Sequence, residues 1–283
     1  MGWTMLLLAA LQTQSPPPPP PLHGGPTEQV CPIGGERFSA WQAGSYSTYG
    51  QRPDGKPYSY LPFPLPIPEC PTNHLVIFDE FDAKDIARLT PLIASERYRA
   101  ILGETVYYRA FWLADQLGRP PEQSLSLLMR AIWEVRPGTG DDTGMPDLQR
   151  QAARYQQTFV ERVDRLPTQV PQLERAWLEA RAANTLREME AFGRAERFRT
   201  RALASAVGLA QDDSPAAYLE QLAVVIARHD ASAEPLDMIP SQQATFACVD
   251  LAGSRDAFVR KTCDEPERAK AVAEVVRGRA ARD

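Results

Sequence analysis

Between residues 82 and 230 apolar side chains recur at three- and four-residue spacing, and Gly or Pro halts the pattern at short intervals. That combination dictates a series of short amphipathic helices, which pack as antiparallel neighbours when the links are tight. Asp82 stands where an N-cap belongs, with Asp85 in the following turn near the positive end of the helix dipole. Ile86, Leu89 and Ile93 mark one face of this first helix, and Ile101-Leu102-Gly103 is predicted to close it. Further helices are predicted through Tyr107–Leu117, Leu125–Val135, Leu148–Leu166, Leu173–Leu186, Ala195–Ala202 and Tyr218–Ile226. A weaker one is predicted over Ala269–Arg279. The predicted fold class is mainly α, a helical bundle or a decayed tetratricopeptide-like array, with a small β- and turn-rich head.

That head, residues 26–81, is rich in Pro, Gly, Tyr and Phe. Fifteen of the 26 prolines precede residue 72, so proline marks a leader and a turn-rich head rather than the whole chain. Arg37–Trp41 alternates polar and apolar residues as a half-buried strand does. Arg52-Pro53-Asp54-Gly55-Lys56-Pro57 reads as a turn, and Leu75–Phe78 as a short buried strand. Leu61–Pro68 alternates proline with apolar residues; it lacks every second amide and is expected to be an extended arm packed on its own domain. The remaining stretch, 231–283, is a carboxy-terminal segment.

Residues 1–25 combine an apolar run, Met5–Leu11, with six prolines, Pro16–Pro21. This reads as a secretory signal followed by a stiff polyproline leader, although no Lys or Arg precedes the run. The expected location is periplasmic or secreted, with the cytoplasm as the alternative. No apolar run approaches the ~20 residues of a membrane-spanning helix.

The 31 basic and 36 acidic residues give a formal net charge of −5, without the basic stripe of a nucleic-acid binder. Pairs such as Arg175/Glu179 and Glu190/Arg194 read as solvated helix faces. Three histidines leave little for a histidine-built centre, and no GxSxG, HExxH or phosphate-loop signature is present. The loop Pro137–Pro146 fits neither a twelve-residue calcium loop nor a phosphate cradle and reads as a linker.

Four cysteines fall at 31, 70, 248 and 263. Three pairings are open to them; two local disulfides, Cys31–Cys70 and Cys248–Cys263, are the expectation, because a long cysteine-free helical stretch separates the pairs. A disulfide is one state of Cys31 and Cys70; free thiols and a metal site are the others. In the metal alternative His74 adds a third ligand to Cys31 and Cys70 around zinc, with Glu36 the nearby carboxylate.

The runs Cys31-Pro32-Ile33-Gly34 and Cys70-Pro71-Thr72-Asn73 each look like a CPxC knuckle whose second cysteine is lost. With Ser95–Ala100, Tyr107-Tyr108-Arg109 and Ala131–Glu134, they resemble a bacterial domain family of unknown function over roughly residues 31–205. Its members look like a CPxC…CPxC zinc ribbon followed by a tetratricopeptide-like region. The resemblance implies a degenerate zinc-ribbon-like head in which facing turns bring Cys31 and Cys70 close enough to bond, and it implies no activity. The resulting expectation is an exported module that binds a protein or peptide without catalysis, with no cofactor and no nucleic acid. A metal-assisted hydrolase using Cys31, Cys70 and His74 is the alternative. Any exposed members of the aromatic group Tyr98, Tyr107, Tyr108, Phe111 and Trp112 are the first place to look for a binding surface.

Overall fold

A computed structural model describes residues 23–136 and 146–281. The leader up to Leu22 and the loop 137–145 lie outside the described residues, and so does the sequence reading made of them.

The head is built from two antiparallel hairpins. Strand β1 (Gly25–Val30) pairs with β2 (Arg37–Gln42), and Val30 lies opposite Arg37. Burial alternates along β1 and along β2 as far as Ala40, as expected of a two-sided ribbon packed on one face. Strands β3 (Thr48–Gln51) and β4 (Pro57–Ser59) flank the turn foreseen at Arg52–Pro57. Arg52 and Lys56 close that turn by a backbone bond of 2.9 Å, and Gly55 takes the positive φ of +89°. The strand expected at Leu75–Phe78 does not form. Leu75 and Val76 are fully buried, yet their backbone makes only the bridge Glu69↔Val76. The facing segment, Pro66-Ile67-Pro68-Glu69, offers an amide at only every second position, so no ladder can extend.

Eleven helices follow among the described residues. Asp82 caps α1 (Ala83–Ile93) by accepting from the amides of Lys84 and Asp85. The helix ends ten residues before Gly103, contrary to the expectation. Ser95 donates to Leu92 O (2.6 Å) and accepts from Tyr98 N (3.2 Å), which stops α1 and starts the short α2 (Glu96–Arg99). Helix α3 (Val106–Leu117) is capped by Thr105 and closed by Gly118 at φ +71°. Then come α4 (Pro121–Val135), α5 (Pro146–Asp164), α6 (Gln172–Glu188), α7 (Phe192–Ala206) and α8 (Ala216–Ala227). Each of these five matches a predicted helix. The carboxy-terminal segment carries α9 (Ser241–Asp250), α10 (Ala257–Cys263) and α11 (Pro266–Ala280), the first of which the apolar spacing did not reveal.

One core spans the head and α1 to α8, running from Cys31, Cys70 and Leu75 through Leu113, Leu128 and Phe159 to Leu186 and Leu222. A smaller one gathers Leu236, Ile239, Ala244 and Cys248 against Tyr58 and Phe258. Charged side chains sit between them. Arg52 and Asp54 pair at 2.6 Å with about 3–4% of each exposed, and Arg52 lies 3.9 Å from Glu234. Arg181 and Tyr218 both donate to Pro53 O, the latter at 2.8 Å, so the β3–β4 turn is pinned onto α6 and α8. Fully buried Arg187 donates to the carbonyls of Asp230 and Ser232 and to Asn184 Oδ1, holding the chain that leads into the second core.

Candidate functional site

The cysteine head was the foremost sequence candidate. Two turns there use one hydrogen-bond scheme: Cys31 N donates to Glu36 O and Gly35 N to Cys31 O, while Cys70 N donates to Leu75 O and His74 N to Cys70 O. The turns face each other and bring Cys31 and Cys70 to disulfide distance, with Cα atoms 5.6 Å apart. Cys248 and Cys263 form a second such pair, also 5.6 Å between Cα atoms. Asn73 stitches the turns together, donating to Ile33 O (2.8 Å) and accepting from Leu75 N (3.0 Å). Glu36 accepts from Thr72 N at 3.1 Å.

His74 takes no place beside the sulfurs. Its Nδ1 meets Glu69 Oε1 at 2.9 Å, and Arg109 grips the same carboxylate through both terminal nitrogens. Burial works against the Glu69 charge, but the hydrogen bonds from Arg109 and His74 outweigh it and hold the carboxyl below its usual range. Each sulfur is turned to the other and the imidazole to Glu69, so the trio Cys31, Cys70 and His74 is not assembled around a common point. Among the described residues no group of three or more His, Cys, Asp or Glu is placed to hold a metal ion.

The aromatic group singled out on the helices is mostly interior. Tyr98, Tyr107 and Phe111 are buried, and Tyr108 stacks on Tyr155 at 4.4 Å. Tyr98 donates to His74 O and Tyr107 to Leu65 O, which leashes the head to α2 and α3. Burial pushes both phenols up to about 12.

Exposed rings lie elsewhere. Tyr46, Tyr49 and Tyr60 are 42–51% exposed, and they are the aromatic members of the exposed large hydrophobic set among the described residues. Each touches another ring: Tyr46 with Phe63 (5.6 Å), Tyr49 with Tyr58 (6.4 Å) and Tyr60 with His23 (4.9 Å). Phe63 and Tyr58 in turn wall an open cleft of about 530 Å³ between β4, the proline arm and the end of α4. Pro57, Pro62 and Pro64 complete that wall, opposite Trp133 and Glu134.

Three polar groups give the cleft its chemistry. The Trp133 indole N–H is buried without a hydrogen-bond acceptor among the described residues. Lys56 reaches Trp133 O at 3.5 Å, and burial, then the nearby Arg52, pulls its ammonium below the usual range. Glu134 accepts from Tyr107 N at 3.1 Å, and burial raises its carboxyl above the usual range. The cleft thus presents rings, one unsatisfied donor and balanced charge. Its sequence signal is Tyr58-Ser59 beside the alternating prolines of Leu61–Pro64, with the Tyr- and Ser-rich Ser45–Tyr49 packed behind it.

No helix among the described residues is long and apolar enough to cross a membrane. No protein-family model, curated protein or solved structure matches this chain.

Proposed function

We propose that this protein is an extracytoplasmic interaction module whose proline- and ring-walled cleft binds an extended, uncharged, proline-rich segment of a partner protein. The observation that carries this reading is the Trp133 indole N–H, without an acceptor among the described residues, in the wall of a cleft that Tyr58, Phe63 and three prolines also line. An extended proline-rich chain has no internal hydrogen bonds, so its carbonyls are free to accept from such a donor. Its pyrrolidine rings pack on aromatic faces, and its preformed shape loses little entropy on binding. Lys56 and Glu134 balance one another, which suits a ligand without net charge. The two disulfide-distance pairs fit an oxidising compartment.

The head is a degenerate zinc ribbon in this reading. Its support is the shared turn scheme of Cys31 and Cys70, with Gly34 and Asn73 where the second knuckle cysteines would stand. Helices α3 to α8, packed in sequence, are read as a decayed tetratricopeptide-like array. The hydrolase alternative is not carried forward, since the Cys31, Cys70 and His74 side chains do not converge.

The test titrates the full chain with an acetylated decaproline peptide and follows tryptophan fluorescence, with a serine–alanine peptide of equal length as control. Saturable binding of decaproline alone is expected, weakened about fivefold or more in Trp133→Phe and in Phe63→Ala, as for loss of one hydrogen bond or one ring contact. Equal responses to both peptides, or unaltered binding in both variants, refute the reading. Concentration-dependent self-association lost on deleting Pro16–Pro21 would instead assign the cleft to a second copy.

A further inference from the structure

At the opposite end of α4 lies a second, more enclosed cleft of about 270 Å³, between the end of α3, the start of α4 and the turn after α5. Three arginines converge on it, Arg119, Arg162 and Arg165, against one carboxylate in its lining, Asp115. Arg119 is held by Asp85 (2.6 Å) and Asp79 (3.2 Å), and Arg162 by Asp115 (2.8 Å) while lying over the Phe111 ring. Arg165 meets no carboxylate among the described residues and is exposed, so its charge is available.

Two further features belong to the same wall. Helix α4 opens at Pro121 with Pro120 as its cap, and Pro120 carries no side-chain acceptor for the first-turn amides. The positive end of the helix dipole thus meets the cleft at Pro121 without a side-chain cap, with Glu122 the acidic residue of its first turn. Ser124, one turn in, is 4% exposed and lines the cleft, and its hydroxyl finds no hydrogen-bond partner. A buried hydroxyl left unpaired costs stability unless something occupies its donor site. An uncapped helix start, an unpaired hydroxyl and three guanidiniums that differ in their counter-ions together describe an acceptor-rich, negatively charged ligand.

We propose that this cleft is a binding site for a small oxyanion carrying two or more negative charges. Arg165 and Arg162 grip its oxygens, the Ser124 hydroxyl donates to it, and the α4 N-terminus supplies the field. Arg119 is fixed by Asp79 and Asp85 and acts as a positioning residue at the rim. The volume suits a phosphate group or a compact polycarboxylate, which share this chemistry. The site is independent of the Trp133 cleft, since α4 separates Ser124 from Trp133 by nine residues, about 13 Å of helix.

Isothermal titration of the full chain with inorganic phosphate and, separately, with citrate tests this. Saturable one-to-one binding of either anion, weakened as salt rises, is expected, and the anion that binds names the source. Arg165→Gln should weaken it about tenfold and Ser124→Ala about threefold, as for a charged and a neutral hydrogen bond. Arg255→Gln, an exposed arginine before α10, should leave it unchanged. Absence of saturable binding by both anions overturns the proposal, and so does wild-type affinity in Arg165→Gln. Because Arg165 is exposed, circular dichroism of that variant should match the parent, which separates lost binding from lost fold.

Discussion

Arg109 on α3 clamps Glu69 of the head through both terminal nitrogens, each 2.8 Å from a carboxylate oxygen. The guanidinium side chain is about 6% exposed and the carboxylate about 26%, so one partner is desolvated and the other keeps some water. Bidentate pairing of this kind fixes orientation as well as distance. It is a principal tie between the cysteine turns and the helices.

Glu69→Gln is therefore expected to destabilise the protein by about 2 kcal/mol in urea unfolding. This lies under the ~3–5 kcal/mol of a fully buried pair because Glu69 still touches solvent. The Glu69 carboxyl is held low in the folded state, so its contribution is present above the unfolded carboxyl range and is lost as pH falls through the folded value. The gap between parent and variant should accordingly close on acidification, and a gap that widens at low pH would refute this.

Asp54→Asn should cost more, about 3–5 kcal/mol, because it leaves Arg52 buried without its nearest counter-charge. The β3–β4 turn is pinned through Pro53 O to Arg181 and Tyr218. Amide exchange should consequently rise first in residues 48–59, which a hydrogen-exchange experiment reads directly.

The two cysteine pairs should differ on reduction. Cys31 and Cys70 lie in the main core at 2% and 0% exposure, whereas Cys263 is partly exposed beside the smaller core. Timed alkylation under native conditions should label Cys248 and Cys263 before Cys31 and Cys70. Loss of the 39-residue loop closure should then cost about 4 kcal/mol against about 3 kcal/mol for the 15-residue one.

Gly50→Ala should loosen the second core from the head by about 2 kcal/mol. Gly50 has φ +115°, and a Cβ there would lie 2.3 Å from Pro240 Cγ, at the start of α9. Thermal melts should show the loss, with faster proteolysis within 231–281. The control Gly103→Ala meets nothing within 4 Å and should leave both unchanged.

Helices α3 to α8 were legible because an amphipathic stripe and its Gly or Pro stop are local properties, as Leu125–Val135 and Gly118 illustrate. Helix α9 was not, because its face toward the second core is small residues, Ala244 and Cys248, without a long apolar stripe. The apolar run at Leu75–Phe78 satisfied every local condition for a strand and still found no ladder, since its neighbour is half proline. The cleft at the end of α4 was harder still: the sequence drew Trp133 only into a family resemblance, and its lack of an acceptor is visible only when β4 and the arm are folded against it.

The order of the residues alone determined where α3 to α8 run, that four cysteines fall in two local groups, and that no membrane-length apolar segment occurs. These follow from backbone sterics, spacing and composition, which need no partner. Tertiary structure decided that His74 turns to Glu69 and not to the sulfurs, that Tyr46, Tyr49 and Tyr60 stay exposed, and that Arg165 and Ser124 share one cleft. Those outcomes depend on which groups distant in the chain are desolvated together. A charge or donor declares its role only when the fold removes its water and either supplies a partner or withholds one.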